Sequence, residues 1–211
     1  MPITTVFFLA SILVVALCRG IPFGERLDVF SHGAGQRDIM LMVWIFVLAG
    51  AFASVAQAMG AIEACCSLVL GIMPAGWVLP GLFFAACFVS MSIGTSVGTI
   101  ASLVPIAVAL SPEHGKAVFT AAIVGGAFFG DNLSFISDTT IMATRTQGIE
   151  MREKFLANIW FALPAAVVTF IIYMYVPSEV AAPPSVGIDI RTLALALPYF
   201  VVIIAALCGV G

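Results

Sequence analysis

Charge is what this sequence has least of. Only 9% of its 211 residues are Asp, Glu, Lys or Arg, while 62% are hydrophobic. A soluble domain of this size carries about a quarter of its residues charged, so an ordinary water-facing fold is excluded. Eight basic residues against eleven acidic ones give a net charge of -3 and no basic stripe, which removes nucleic acid from the expected partners. Histidine is limited to His32 and His114, both in polar stretches. The cysteines, Cys18, Cys65, Cys66, Cys87 and Cys208, sit in apolar runs without a CxxC pair. They read as small buried hydrophobes, and neither a zinc centre nor a disulfide framework is expected.

What remains is a succession of apolar runs, with a mean hydropathy of +1.18. One helix needs about 20 apolar residues to cross a bilayer, so the length allows about five to seven hydrophobic segments. The expected class is all-α: a polytopic helical membrane protein forming a single transmembrane domain over residues 1–211. Spans are expected near 3–18, 39–58, 61–73 (short or re-entrant), 77–110, 116–143, 155–176 and 192–211. The first run lacks a basic lead and a small-residue cleavage pattern, so it reads as a span and not a signal peptide. Residues 19–38 form the longest polar stretch, a loop or a short interfacial helix; 144–154 reads as a mixed-charge loop and 177–190 as a Pro/Ser-rich linker. Arg19, Arg26 and Arg37, and again Arg145, Arg152 and Lys154, form two basic clusters that should face the cytoplasm. The last run stops at Gly211 with no basic or aromatic flank, and the chain is expected to be part of a longer protein.

Two of the long runs are interrupted by polar residues. The run over 77–110 carries Ser92, Thr95, Ser96 and Thr99 around Gly94 and Gly98, and a break over 94–99 is expected there. The run over 116–143 carries Asp131, Asn132, Ser134, Ser137, Asp138, Thr139 and Thr140, and a break is expected at 130–132. Gly94/Gly98 and Gly126/Gly130 also fit the small-xxx-small spacing of close helix packing.

Asp131 and Asp138 are the expensive residues, because a charged Asp at the bilayer centre costs at least about 2.5 kcal/mol on insertion scales. On one helix their seven-residue spacing returns to nearly the same face, with Ser134 between them. Arg145 is too far along the chain for local pairing and is expected to snorkel to the interface. In one reading the carboxylates cap a half-helix start at Gly130-Asp131-Asn132. In another, the carboxylate, amide and hydroxyl oxygens coordinate a small hard cation and exchange it for protons, since oxygen-only ligands suit Na⁺ better than a transition metal. An intramembrane aspartyl protease fails, because both carboxylates fall in one segment and Phe128-Phe129-Gly130 precedes Asp131. Glu63, beside the Met59-Gly60 step, is a secondary candidate at an interface. Two interrupted runs together resemble the discontinuous helices from which transporters build midplane sites.

The sequence from Gly125 to Gly148 (GGAFFGDNLSFISDTTIMATRTQG), preceded by Gly94-Thr95-Ser96-Val97-Gly98-Thr99, resembles the NhaC family of Na⁺/H⁺ antiporters over about residues 38–176. The resemblance implies a secondary antiporter built from two related halves of opposite topology, of which this chain is similar to the first. It implies Asp131 and Asp138 as ion and proton ligands, with Asn132, Ser134, Thr139 and Thr140 assisting and Thr95, Ser96 and Thr99 lining the other break; Ser92, Ser137, Glu63 and Arg145 are secondary. No cofactor is expected, only transported Na⁺ and H⁺. The expected partners are the lipid bilayer, the C-terminal half of the same transporter and a second copy in a homodimer, in a bacterial cytoplasmic (inner) membrane. The family also contains exchangers of organic acids such as malate and lactate. That activity, and a non-transporting membrane scaffold, stay open as alternatives. No enzymatic activity is expected.

Overall fold

In the computed structural model, described over residues 3–18, 20–177 and 189–207, every regular element is helical. Arg19, Cys208 and residues 178–188 of the expected linker lie outside the described residues. The chain divides into two compact units, residues 1–45 and 46–211.

The first unit holds α1 (Ile3–Leu17), α2 (Phe23–Ala34) and the opening turns of α3 (Arg37–Ala58). α2 occupies the polar stretch that allowed either a loop or a helix, and Glu25 lies in its first turn. Arg26 does local work: its Nε donates to the Ile21 carbonyl at 2.8 Å and its Nη1 to the Ala16 carbonyl at 3.2 Å. The latter is an end carbonyl of α1 that has no partner along its own helix.

The second unit contains the rest of α3, then α4 (Ala61–Ile72), a 3₁₀ turn (Ala75–Trp77), α5 (Val78–Ile93), α6 (Ser96–Leu110), α7 (Lys116–Leu133), α8 (Asp138–Gln147), α9 (Met151–Tyr175) and α10 (Ile190–Leu207). Among the described residues, three stretches are long and apolar enough to cross a membrane: Ile39–Ala58, Lys116–Gln147 and Met151–Tyr175. The chain is a membrane protein on these grounds. α5 is its centre, with Leu79, Leu82, Ala85, Ala86 and Val89 fully buried. α9 has no buried residue, and its Trp160 and Phe161 are among the most exposed side chains. Exposed aromatic bulk on such a helix suits lipid, not water.

α5 packs chiefly against α7, and the sequence shows why this approach is so close. A Cβ at Gly126 would strike the Phe83 carbonyl, and one at Gly130 would strike the Cys87 carbonyl and approach the Met91 nitrogen. The two backbones therefore touch, and Ser90 Oγ donates to the Ala127 carbonyl at 2.6 Å across the same seam. The small-xxx-small reading holds for this pair.

Three boundaries differ from expectation, the first being the break expected over 94–99, which is confined to Gly94 and Thr95 because α6 begins at Ser96. α7 does not stop at 130–132 but runs on to Leu133, and the chain leaves helix over 134–137. Gly130 is there for helix contact, and Asp131 and Asn132 stay helical with side-chain partners on other elements, Ser96 on Asp131 Oδ2 and Asn158 on Asn132 Oδ1. Consequently Asp131 and Asp138 do not share a helix face: one ends α7 and the other begins α8. The stretch 144–154, expected as a loop, is helical at both ends, with the turn confined to 148–150.

Candidate functional site

The α5–α6 step is written by three residues. Gly94 closes α5 in the left-handed region at φ 75°, a conformation costly for any side chain, and its N–H donates to the Ser90 carbonyl at 2.8 Å. Thr95 is extended and N-caps α6, its Oγ1 accepting from Gly98 N at 3.4 Å. Ser96 is then the first residue of α6. The α7–α8 step is bounded by Ser134 and Ser137, both extended, and Asp138 opens α8.

These two steps lie against each other. A Cβ on Gly94 would come within 2.8 Å of the backbone and side chain of Ile136, so the glycine admits the second step into contact with the first. Ser134 Oγ donates to the Met91 carbonyl at 2.8 Å, tying the end of α7 to the last turns of α5. Ser96 Oγ donates to Asp131 Oδ2 at 2.9 Å. The other oxygen, Asp131 Oδ1, is buried and has no hydrogen-bond partner. Buried carboxylate oxygens are rarely left in that condition, so this atom calls for an explanation.

Electrostatics follow from the helix ends. Asp131 meets the N-terminus of α6 through Ser96, and Asp138 stands in the first turn of α8, where its Oδ1 accepts from Thr139 N at 2.7 Å. Each carboxylate thus faces the positive end of a helix dipole. Neither carboxylate is an N-cap: Asp131 is internal to α7, and Asp138 is the first residue of α8, after the N-cap Ser137. Asp138 also lines a cavity of about 280 Å³ with Gly94, Thr95 and Ile136 from the steps and Phe46 and Gly50 from α3.

The remaining candidates separate. Thr140 accepts from Lys154 Nζ at 2.7 Å, and Asn132 Oδ1 accepts from Asn158 Nδ2 at 2.9 Å, so both are tied to α9. Ser137 and Thr139 bond to each other at 2.8 Å beside Asp138. Ser92 donates to the Phe88 carbonyl and Thr99 to the Thr95 carbonyl, so both hydroxyls are spent within their own turns. Glu63 is exposed in the first turn of α4, and Arg145 is exposed in the last turn of α8.

Lys154 and Asn158 escaped the sequence reading. Both project from α9, and Lys154 Nζ donates to the Asn132 carbonyl as well as to Thr140, while Asn158 Nδ2 reaches that same carbonyl at 3.2 Å. The available signal was their spacing of four, one helical turn, at the head of an otherwise apolar run.

A family model described as "Na+/H+ antiporter family" matches residues 2–177. The chain belongs to that family. It is 28% identical over 195 residues to "Na(+)/H(+) antiporter NhaC" of Alkalihalophilus pseudofirmus, covering 88% of this chain and 41% of that protein. It is 26% identical over 185 residues to "Malate-2H(+)/Na(+)-lactate antiporter" of Bacillus subtilis (81% and 36%). It is 34% identical over 118 residues to "Uncharacterized Na(+)/H(+) antiporter" of Haemophilus influenzae (52% and 25%). The chain thus spans between a quarter and about two fifths of the length of these relatives. No solved structure matches it.

Proposed function

We propose that this chain carries the ion-binding half of a secondary antiporter that exchanges Na⁺ for H⁺ across the bacterial cytoplasmic membrane. The observation that carries the reading is the buried, unpartnered Asp131 Oδ1 at the crossing of two polar steps. We read α5/α6 and α7/α8 as broken transmembrane helices, whose free ends supply both carbonyl oxygens for a cation and helix N-termini for the carboxylates. Asp131 and Asp138 bind Na⁺ or protons, never both at once, and Ser96, Ser134 and Thr140 help to shape the site. Transported Na⁺ and H⁺ are the only small partners invoked, with no resident cofactor. The other half of an inverted repeat and a homodimeric partner complete the assembly. The basic clusters put the Arg145 to Lys154 end on the cytoplasmic side.

Na⁺-dependent proton flux in everted vesicles tests this with the full-length protein. Asp131→Asn and Asp138→Asn are each expected to lower exchange at least about tenfold, as loss of an ionised ligand does. Normal exchange in both variants rejects the site.

One observation favours a second reading. Lys154 supplies a cation beside the crossing, and a dicarboxylate substrate needs such a counter-charge. Malate inhibition of Na⁺-dependent flux separates the two, since a pure cation site is indifferent to malate.

A further inference from the structure

The ammonium of Lys154 bridges the α7–α8 step. It donates to the carbonyl of Asn132, on the last turn of α7, and to Thr140 Oγ1 on α8, at 2.7 Å. A lysine that merely caps a helix end needs only the carbonyl. Reaching the second helix as well puts its charge among oxygen atoms of the kind a hard cation takes. Asp131, the residue before Asn132, keeps no hydrogen bond on its Oδ1. The lysine thus provides charge without completing the carboxylate's coordination. Its four-carbon stem is flexible and its head is a compact point charge, so withdrawal needs only a change of rotamer.

We propose that Lys154 is a tethered cation that holds the oxygens of Asn132 and Thr140 in the ion-free protein and must leave them for Na⁺ to bind. The proposal rests on reading the crossing as a cation site. It makes Lys154 an internal competitor that sets the apparent affinity for Na⁺ and guards the site against weaker cations. A lysine that only braces the α7–α8 step gives the opposite signature: its removal loosens the site and weakens Na⁺ binding.

The test is Na⁺-dependent exchange at fixed pH, with the full-length protein in proteoliposomes of one lipid composition. Lys154→Met keeps the length and removes the charge, and the half-saturating Na⁺ concentration should fall about tenfold or more, the worth of a charge-assisted bond. Lys154→Arg keeps the charge and should leave half-saturation unchanged or raise it. Unchanged or raised half-saturation in Lys154→Met overturns the proposal; if Asp131→Asn still abolishes exchange, the cation site itself stands. Should Lys154→Met fail to fold, the wild-type protein decides. Acylation of Lys154 by a small amine-reactive ester, read by mass spectrometry, should rise when Na⁺ replaces choline. Labelling that stays flat or falls overturns the competitor role.

Discussion

Gly94/Gly98 and Gly126/Gly130 have the same four-residue spacing in the same kind of apolar sequence, yet they meet different surroundings. At Gly126 and Gly130 the missing Cβ atoms let the backbone of α5 lie directly on α7. At Gly94 the missing Cβ permits a left-handed turn and admits Ile136, whereas a Cβ on Gly98 would meet only Thr95 of its own turn. The spacing is thus a packing signal in one place and a helix terminator in the other. The following residue does not separate them, since Asp131 after Gly130 could cap as well as Thr95; what differs is the backbone each glycine meets, α5 at Gly126 and Gly130 and Ile136 at Gly94.

The comparison can be broken by adding carbon at each position. The largest effect is expected for Gly130→Val, whose side chain would drive into the Cys87 carbonyl; the backbone cannot yield, so more than about 3 kcal/mol should be lost. Thermal melts in detergent, with gel filtration, check this, and a wild-type melt would show that the α5–α7 seam is not the support of the unit. Gly94→Ala comes next, costing about 1–2 kcal/mol for the left-handed conformation alone. Because the new methyl pushes on Ile136, exchange should fall further than stability does, a difference visible when flux is normalised to folded protein. Gly98→Ala should be smallest, within about 1 kcal/mol, because the helix propensity of Ala offsets a disturbed Thr95 cap. A large loss there would mean that Gly98 also faces a neighbouring helix.

The sequence made the membrane class and the two polar interruptions legible, because scarce charge and clustered Ser, Thr and Gly have direct physical meanings. Gly94-Thr95-Ser96 located one helix end nearly to the residue. The other was misplaced because Asp131 and Asn132 look like helix breakers in a local reading. In the fold, Ser96 bonds one oxygen of Asp131 and Asn158 bonds Asn132, from 35 and 26 residues away, and the helix runs through them. Distant partners of this kind leave no local trace. Lys154 was assigned to membrane orientation for a related reason: a basic residue near a polar turn has an ordinary explanation, and its reach to Thr140 exists only once α8 and α9 are folded against each other.

The start of α9 turns out to be a ruler for the site. Glu150 and Glu153 form a reciprocal capping box, which fixes the residue at which this helix begins. Lys154 and Asn158 follow one and two turns later, so their aim at Asn132 depends on that starting point. Each residue of a helix turns the next by about 100°, so inserting one residue between Glu153 and Lys154 would swing both side chains off the crossing while leaving every apolar residue of the span in sequence. The phase of a helix that buries none of its own side chains is therefore set by two glutamates, and the charge on the Asn132 carbonyl depends on it.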